Sequence, residues 1–228
     1  MNNLTANLEN VRARVSKACK NAGREPSTVT ILAVSKKHPA SRIRALHGLG
    51  QAAFGENYVQ EALAKQSELQ DLVIEWHFIG PLQSNKTREV SAHFAWAQSV
   101  DRNKIVRRLS EQRPDSLGEL NVCIQVNVDE EASKSGAAVG DVAELAHAVA
   151  QLPRLRLRGL MCLPAMRESF DEQRLPFART RELAEDLARG GLALDTLSMG
   201  MSDDFRAAIM EGATIVRIGT AVFGPRNT

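Results

Sequence analysis

A lysine two positions past the end of a short apolar run is the residue of this sequence best placed to do chemistry. Lys36 follows residues 29–34, which are rich in β-branched side chains and have the composition of a buried strand. An apolar environment disfavours the ammonium form of a lysine, so a lysine at the end of such a strand loses its proton more readily. A neutral amine can attack a carbonyl and form a Schiff base. The alternative is that Lys36, or its neighbour Lys37, only extends from a loop into solvent.

Two segments near the end of the chain have the composition of phosphate-binding loops. One contains Ser198 and Gly200, and the other contains Gly219 and Thr220. Both offer backbone N–H groups and hydroxyls without bulky side chains, which is how loops bind phosphates. The alternative is two ordinary turns that end strands.

Arg217 lies inside an otherwise apolar run, residues 215–219. An arginine in a buried strand needs a partner, because an uncompensated buried charge is costly. The residues alone leave two interpretations open, an ion pair inside the protein and contact with a ligand.

The sequence lacks the motifs of metal sites, of α/β-hydrolase nucleophiles and of P-loop nucleotide binding. The five histidines lack metal-ligand spacing, and the sequence has no nucleophile elbow and no P-loop motif. We therefore expect no metal site. We interpret His77, in a strand-like segment, as a hydrogen-bonded core histidine, and Asp203 and Asp204 as a helix cap.

The sequence contains eight strand-like runs, and these would position the residues named above. They are predicted at 29–34, 52–54, 75–79, 94–100, 120–128, 156–163, 194–199 and 214–218. Predicted helices follow at 39–49, 59–72, 84–90, 101–112, 140–151, 170–189 and 203–211, with Asp101 as an N-cap. An additional amphipathic helix precedes the first strand and ends near Gly23.

This alternation predicts an α/β fold with a parallel sheet, and eight units fit a closed (β/α)₈ TIM barrel. An open doubly wound sheet is the alternative. In both folds the working residues lie at the carboxyl ends of the strands, where Lys36, Ser198 and Gly219 are predicted to lie. Because the chain is short for a barrel, which typically takes about 250 residues, we expect one domain over residues 1–228.

Composition restricts the class of protein further. The chain has 228 residues, of which 43% are hydrophobic and 25% charged, as in an ordinary globular protein. The net charge of +2 gives no field that favours nucleic acid. The sequence shows no signal peptide and no run of about 18 apolar residues. The three cysteines are far apart, so we expect reduced thiols and a cytoplasmic protein without membrane contact.

Taken together, six motifs resemble the pyridoxal 5′-phosphate homeostasis protein family. They are AVSK at 33–36, FGEN at 54–57, WHFIGPLQSNK at 76–86, GLM at 159–161, LSMGMSDD at 197–204 and VRIGT at 216–220. The resemblance extends from about residue 10 to residue 224. It implies a barrel like the N-terminal domain of alanine racemase.

The resemblance also implies a cofactor and the residues that bind it. Lys36 would hold pyridoxal 5′-phosphate (PLP) as an internal aldimine. By the same carry-over, Arg217 would face the pyridine nitrogen. The phosphate would be held by Ser198, Gly219 and Thr220, and the ring would be lined by Asn57 and Met199.

The function implied is binding and delivery of PLP to apo-enzymes, which affects amino-acid and keto-acid balance without an established turnover. The alternative is a PLP-dependent racemase or decarboxylase. Two expectations count against that alternative. An arginine at the pyridine nitrogen makes the ring a poor electron sink. The chain ends a few residues past the eighth strand, so we also expect no second, β-domain.

A barrel for some other phosphate ligand is a third interpretation. We expect a monomer, and the sequence leaves open a second PLP site at Lys37, Lys86 or Lys134.

Overall fold

Eight parallel strands form a closed barrel in the computed structural model, which describes residues 4–131 and 135–225. The strands are β1 (Thr30–Val34), β2 (Ala53–Glu56), β3 (Glu75–Phe78), β4 (Trp96–Val100), β5 (Leu120–Val126), β6 (Leu155–Cys162), β7 (Thr196–Ser198) and β8 (Ile215–Ile218). Each strand pairs in parallel with the next, and β8 pairs with β1, Arg217 lying opposite Leu32. The predicted (β/α)₈ barrel is confirmed, and the open sheet is wrong.

Helices surround the barrel, and one of them precedes it. They are α1 (Leu4–Asn21), α2 (Ala40–Gly48), α3 (Val59–Glu68), α4 (Thr87–His93), α5 (Asn103–Gln112), α6 (Val142–Ala150), α7 (Phe170–Arg189), α8 (Phe205–Met210) and α9 (Thr220–Phe223). The extra N-terminal helix is therefore confirmed. Helix α1 buries Leu8, Val11 and Val15 and packs against α8 and α9, which places it beside the last barrel units.

Side chains alternate between two apolar layers, as the twofold period of a strand requires. In β8, Val216 and Ile218 belong to the large core between the sheet and the helices. Ile215 packs instead with Leu32 and Val34 in a smaller cluster inside the barrel. Arg217 alternates with Val216 and Ile218, so its side chain lies on the interior side.

Two predicted helix caps differ from the structure in detail. Helix α5 begins at Asn103 with Arg102 at its N-cap, so the prediction of Asp101 as N-cap is wrong. The Asp101 carboxylate instead accepts a hydrogen bond from the Arg102 guanidinium at 2.6 Å. Asp204 does occupy the N-cap position of α8, but its carboxylate accepts from the backbone N–H of Met201, at 2.5 Å, and so fixes the preceding loop.

No helix in the described ranges is long and apolar enough to cross a membrane. Cys19, Cys123 and Cys162 are buried and form no disulfide.

Candidate functional site

A cavity of about 580 Å³ opens at the carboxyl ends of the strands. Its size lies within the range of about 300–1,000 Å³ typical of small-molecule sites. Five of the seven residues predicted to bind a ligand line it: Lys36, Asn57, Arg217, Gly219 and Thr220. The wall is completed by Arg14, Val34, Ile79, Leu163, Met201, Ser202, Asp203 and Ala221.

Lys36 enters the cavity from a tight turn that follows β1. The backbone N–H of Ser35 still donates to Gly55 on β2, and the N–H of His38 donates back to the carbonyl of Ser35. Between them Lys37 has a φ of +63°, a left-handed conformation that few residues other than glycine adopt. A turn with this geometry needs support from its surroundings.

Beneath this turn lies a group of three charged side chains, Glu56, Glu61 and Lys65, which we call the ionic cluster. The Lys65 ammonium donates to Glu56 and to Glu61, at 2.6 Å in each case, and to the carbonyl oxygen of Ser35 at 2.8 Å. The side chains of Lys65 and Glu56 are 7% and 0% exposed. Burial raises the pKa of Glu56, an effect that the Lys65 charge opposes.

The ionic cluster holds both chain neighbours of Lys36. The Ser35 hydroxyl donates to Glu56 at 2.6 Å, and the backbone N–H of Lys37 donates to Glu61. These contacts anchor the backbone on either side of Lys36, so the direction in which its side chain leaves the turn is fixed.

On β8, Arg217 is 4% exposed, and the described residues give its guanidinium only neutral hydrogen-bond acceptors. It donates to the carbonyl oxygen and the hydroxyl of Ser198, at 2.6 and 2.9 Å, and to the carbonyl oxygen of Cys162 at 2.8 Å. Burial lowers the pKa of Arg217 from its ordinary value. Because no carboxylate in the described ranges pairs with it, its charge is available to a ligand in the cavity.

Ser198 and Met199 lie behind the cavity wall. Both are fully buried; the Ser198 hydroxyl donates to Gln98 at 2.7 Å, and Met199 belongs to the core between sheet and helices. The loop after β7 reaches the cavity only from Met201 onward.

Gly200 makes this path of the loop possible. Its φ is +91°, and a Cβ there would lie 2.6 Å from the Cβ of Ala208 and 2.9 Å from the Cα of Phe205. Its carbonyl oxygen also accepts the backbone N–H of Arg217 at 2.9 Å. Only glycine therefore lets the chain turn tightly against α8 and present Met201 to the cavity.

Asn57 brings an unused hydrogen-bond acceptor to the site. Its side-chain oxygen is buried and has no partner within the described ranges, although such atoms are normally paired. Its backbone packs against Gly80, where an added Cβ would lie 2.1 Å from the Asn57 carbonyl oxygen. The position of Asn57 is thus fixed while its side-chain acceptor stays available to a ligand.

Arg14, Ser202 and Asp203 line the cavity, and the sequence reasoning did not place them in the site. Arg14 comes from α1, and its guanidinium lies 5.1 Å from the centre of the Phe205 ring. An arginine on the polar face of an amphipathic helix carries no signal of its own. The position of Ser202 just past a strand was a signal, but Ser198, at the end of that strand, is the first serine there along the chain.

The remaining predicted residues lie elsewhere. His77 is a buried, hydrogen-bonded core histidine, as predicted. Lys86 lines a neighbouring cavity of about 310 Å³ together with Asn57 and Tyr58. Lys134 lies outside the described residues.

Comparisons with known proteins assign the chain to a family. Residues 3–227 match the family model described as alanine racemase, N-terminal domain. The chain is 59% identical over 227 residues to the pyridoxal phosphate homeostasis protein of Pseudomonas aeruginosa, covering 100% of this chain and 97% of that protein. It is 51% identical over 235 residues to the Escherichia coli K12 protein of the same name, covering 100% and 98%.

Solved structures agree. PipY of Synechococcus elongatus PCC7942, solved with PLP bound, has a TM-score of 0.85 and 36% identity, covering 97% of this chain and 100% of PipY. Alanine racemase of Clostridium difficile 630 shares the fold at a TM-score of 0.73 and 14% identity, and the match covers 100% of this chain and 58% of the racemase. The chain therefore belongs to the alanine racemase N-terminal domain family and, within it, to the pyridoxal phosphate homeostasis proteins.

Proposed function

We propose that this protein binds PLP and takes part in its intracellular homeostasis by carrying the cofactor and delivering it to apo-enzymes. The observation that carries the proposal is that two side chains line one cavity: the primary amine of Lys36, and the Arg217 guanidinium, which has no carboxylate partner in the described ranges. The relatives named for pyridoxal phosphate homeostasis and the PLP-bound structure of PipY support it.

The residues present fit this cofactor. PLP supplies an aldehyde, which condenses with a lysine amine with loss of one water, and a phosphate dianion. Lys36 is the lysine on the cavity wall. The buried side-chain oxygen of Asn57, which has no partner in the described part of the chain, can accept a hydrogen bond from a polar group of a ligand.

We assign roles by position on the wall. Lys36 holds the cofactor covalently, and Arg217 faces the pyridine nitrogen. Gly219 and Thr220 bind the phosphate with backbone N–H groups and a hydroxyl, and Arg14 and Ser202 on the same wall add a positive charge and a second hydroxyl. Ser198 and Met199 act from behind the wall, the first through Arg217 and the second by packing.

Arg217 favours retention of the cofactor over turnover. A guanidinium stays protonated at neutral pH and donates to the pyridine nitrogen, so it disfavours protonation of that nitrogen. The ring then withdraws electrons less strongly than a ring paired with a carboxylate. This property suits holding the aldehyde more than stabilising a carbanion.

Reductive trapping tests the proposal. The purified protein is treated with borohydride, digested and mapped by mass spectrometry, and we expect the pyridoxyl adduct on Lys36. Lys36→Ala removes the adduct, and the matched control Lys37→Arg keeps it. An adduct on Lys37 or Lys86 would refute the site, and a protein that retains no PLP would refute the function.

Delivery and turnover are separated by two further measurements. We expect the loaded protein to activate a PLP-dependent apo-enzyme, and we expect exchange of the Cα hydrogen of amino acids no faster than with free PLP. Rapid exchange would favour the racemase or decarboxylase alternative.

The remaining parts of the proposal concern the state of the protein. We propose one domain over residues 1–228 that acts as a monomer in the cytoplasm. Light scattering at micromolar concentration measures the molar mass and so tests whether the protein is a monomer.

A further inference from the structure

A chain of hydrogen bonds crosses the barrel interior from the cavity towards the start of β3. It joins Arg217 on β8, Ser198 on β7, Gln98 on β4, and His77 and Glu75 on β3. The successive distances are 2.9, 2.7, 2.8 and 2.7 Å. The three middle residues are fully buried, whereas the side chain of Glu75 is 51% exposed.

The chemistry of the two ends fixes the direction of every bond in this chain. A guanidinium only donates, so the Ser198 oxygen accepts from Arg217 and its one proton goes to the side-chain oxygen of Gln98. The Gln98 amide nitrogen then donates to Nδ1 of His77. The Nε2–H of His77 is left to donate to the Glu75 carboxylate.

The reverse orientation of the Gln98 amide does not satisfy the same groups. It would place a proton on Nδ1 of His77, and a neutral ring would then turn the lone pair of Nε2 towards the Glu75 carboxylate. It would also leave the Ser198 hydroxyl proton without the Gln98 acceptor. Unsatisfied polar groups in a fully buried site cost about 1–3 kcal/mol each, so the first orientation is strongly favoured.

We infer that Gln98 and His77 are positioning residues for the cofactor site, which orient Ser198 and through it hold the Arg217 guanidinium against the cavity. This inference rests on the proposed function, because the ligand that Arg217 meets is PLP. His77 is itself held in place by stacking on Trp96, with the ring centres 5.1 Å apart and the planes at 8°. A rigid ring therefore supports the chain from behind.

One consequence separates this role of Ser198 from that of a phosphate ligand. Its proton is committed to Gln98, so Ser198 does not donate to the phosphate of the cofactor. Loss of the hydroxyl should then weaken binding of PLP and of pyridoxal, which lacks the phosphate, to the same extent.

The test is a double-mutant cycle on the full chain with both ligands. The Kd values of PLP and pyridoxal are measured by absorbance titration for the unsubstituted protein, Ser198→Ala, Gln98→Met and the double variant. We expect each single variant to raise both Kd values about tenfold, corresponding to about 1.4 kcal/mol, and the double variant to be no weaker than either. We also expect all three variants to shift the absorption maximum of bound PLP in the same direction, since Arg217 contacts its ring.

Two outcomes would overturn the inference. If Ser198→Ala weakens PLP but not pyridoxal, Ser198 binds the phosphate; Thr220→Val, at the proposed phosphate end, should give that pattern and serves as the contrast. If the two substitutions are fully additive, Gln98 and Ser198 do not act through one chain.

A measurement on the unsubstituted protein tests the inference even where a buried variant folds poorly. Nitrogen-15 spectra of histidine-labelled protein at neutral pH should show His77 as the Nε2–H tautomer, the signal being assigned by its loss in His77→Gln. A proton on Nδ1 would overturn the direction of the chain. Failure of the proposed function is a separate result, since the protein would then bind neither PLP nor pyridoxal whatever the tautomer of His77.

Discussion

Lys36 and Arg217 face the same cavity, but the regions behind them are built from different chemistry. The turn that carries Lys36 rests on the ionic cluster, one ammonium between two carboxylates. The Arg217 guanidinium donates hydrogen bonds to carbonyl oxygens and to a hydroxyl. From that hydroxyl the hydrogen bonds continue across the barrel through an amide to an imidazole.

The difference follows from what each region has to hold. Lys36 needs a fixed backbone, and charged groups that bind the backbone on both sides of it supply this. The positive charge of Arg217 has to remain available to the ligand, and a carboxylate in direct contact would compensate that charge. Ionic support thus suits a turn, whereas neutral support suits a charged side chain.

Lys65→Met breaks the ionic cluster and should produce the largest loss of stability. Removing one partner of a buried ion pair leaves an uncompensated charge on Glu56, and such changes cost about 3–5 kcal/mol. Urea unfolding measures the free energy of unfolding. The variant Lys65→Met with Glu56→Gln should recover part of the loss because no buried charge remains; a single-variant loss below about 1 kcal/mol would show that the cluster does not hold the turn.

Gly200→Ala tests the backbone on the Arg217 side. The added Cβ meets Ala208 at 2.6 Å and the positive φ disfavours alanine, so we expect a loss of about 2–4 kcal/mol from overpacking and strain together. Gly48→Ala is the matched control, because nothing lies within 4 Å of that position and it is helical. If the two variants are equally stable, the turn at Gly200 does not depend on glycine.

Much of the architecture was predictable from the sequence because it depends on local patterns. Each of the eight strand-like runs overlaps an observed strand, and the long helix 170–189 has the predicted bounds. Lys36 and Arg217 were identifiable because a charged residue just past or inside an apolar run stands out.

The supports behind these residues were not predictable, because they depend on distant contacts. Ser198 and Gln98 are 100 positions apart, and Lys65 joins Ser35 and Glu56 from one face of α3. In the loop after β7, the residues that line the cavity begin at Met201, because the fold buries Ser198 and the chain turns in a left-handed conformation at Gly200. Arg14 reaches the site from α1, outside the barrel.

Glu61→Ala sharpens the comparison at the edge of the ionic cluster, where the side chain is 27% exposed and the fold is at little risk. The Lys37 N–H loses its acceptor, so the turn loosens and PLP should be retained about fivefold less tightly, or about 1 kcal/mol. Glu61→Gln keeps an acceptor oxygen and should retain most of the affinity. Equal Kd values for the alanine and glutamine variants would contradict a role for this contact.

His77 adds a dependence of stability on pH, which the substitutions in the ionic cluster do not test. Burial lowers the pKa of His77 in the folded protein, whereas in the unfolded chain it titrates near about 6.5. The stabilisation is therefore present above pH ~6.5 and is lost progressively as the pH falls from about 7 to about 5.5, because over that range the unfolded chain takes up the proton more readily than the folded protein. Urea unfolding across that range should show a shallower slope for His77→Gln than for the unsubstituted protein. An unchanged slope would mean that His77 takes up a proton in the folded state, and Nδ1 would then no longer accept from Gln98, so the neutral support of Arg217 would not hold below neutral pH.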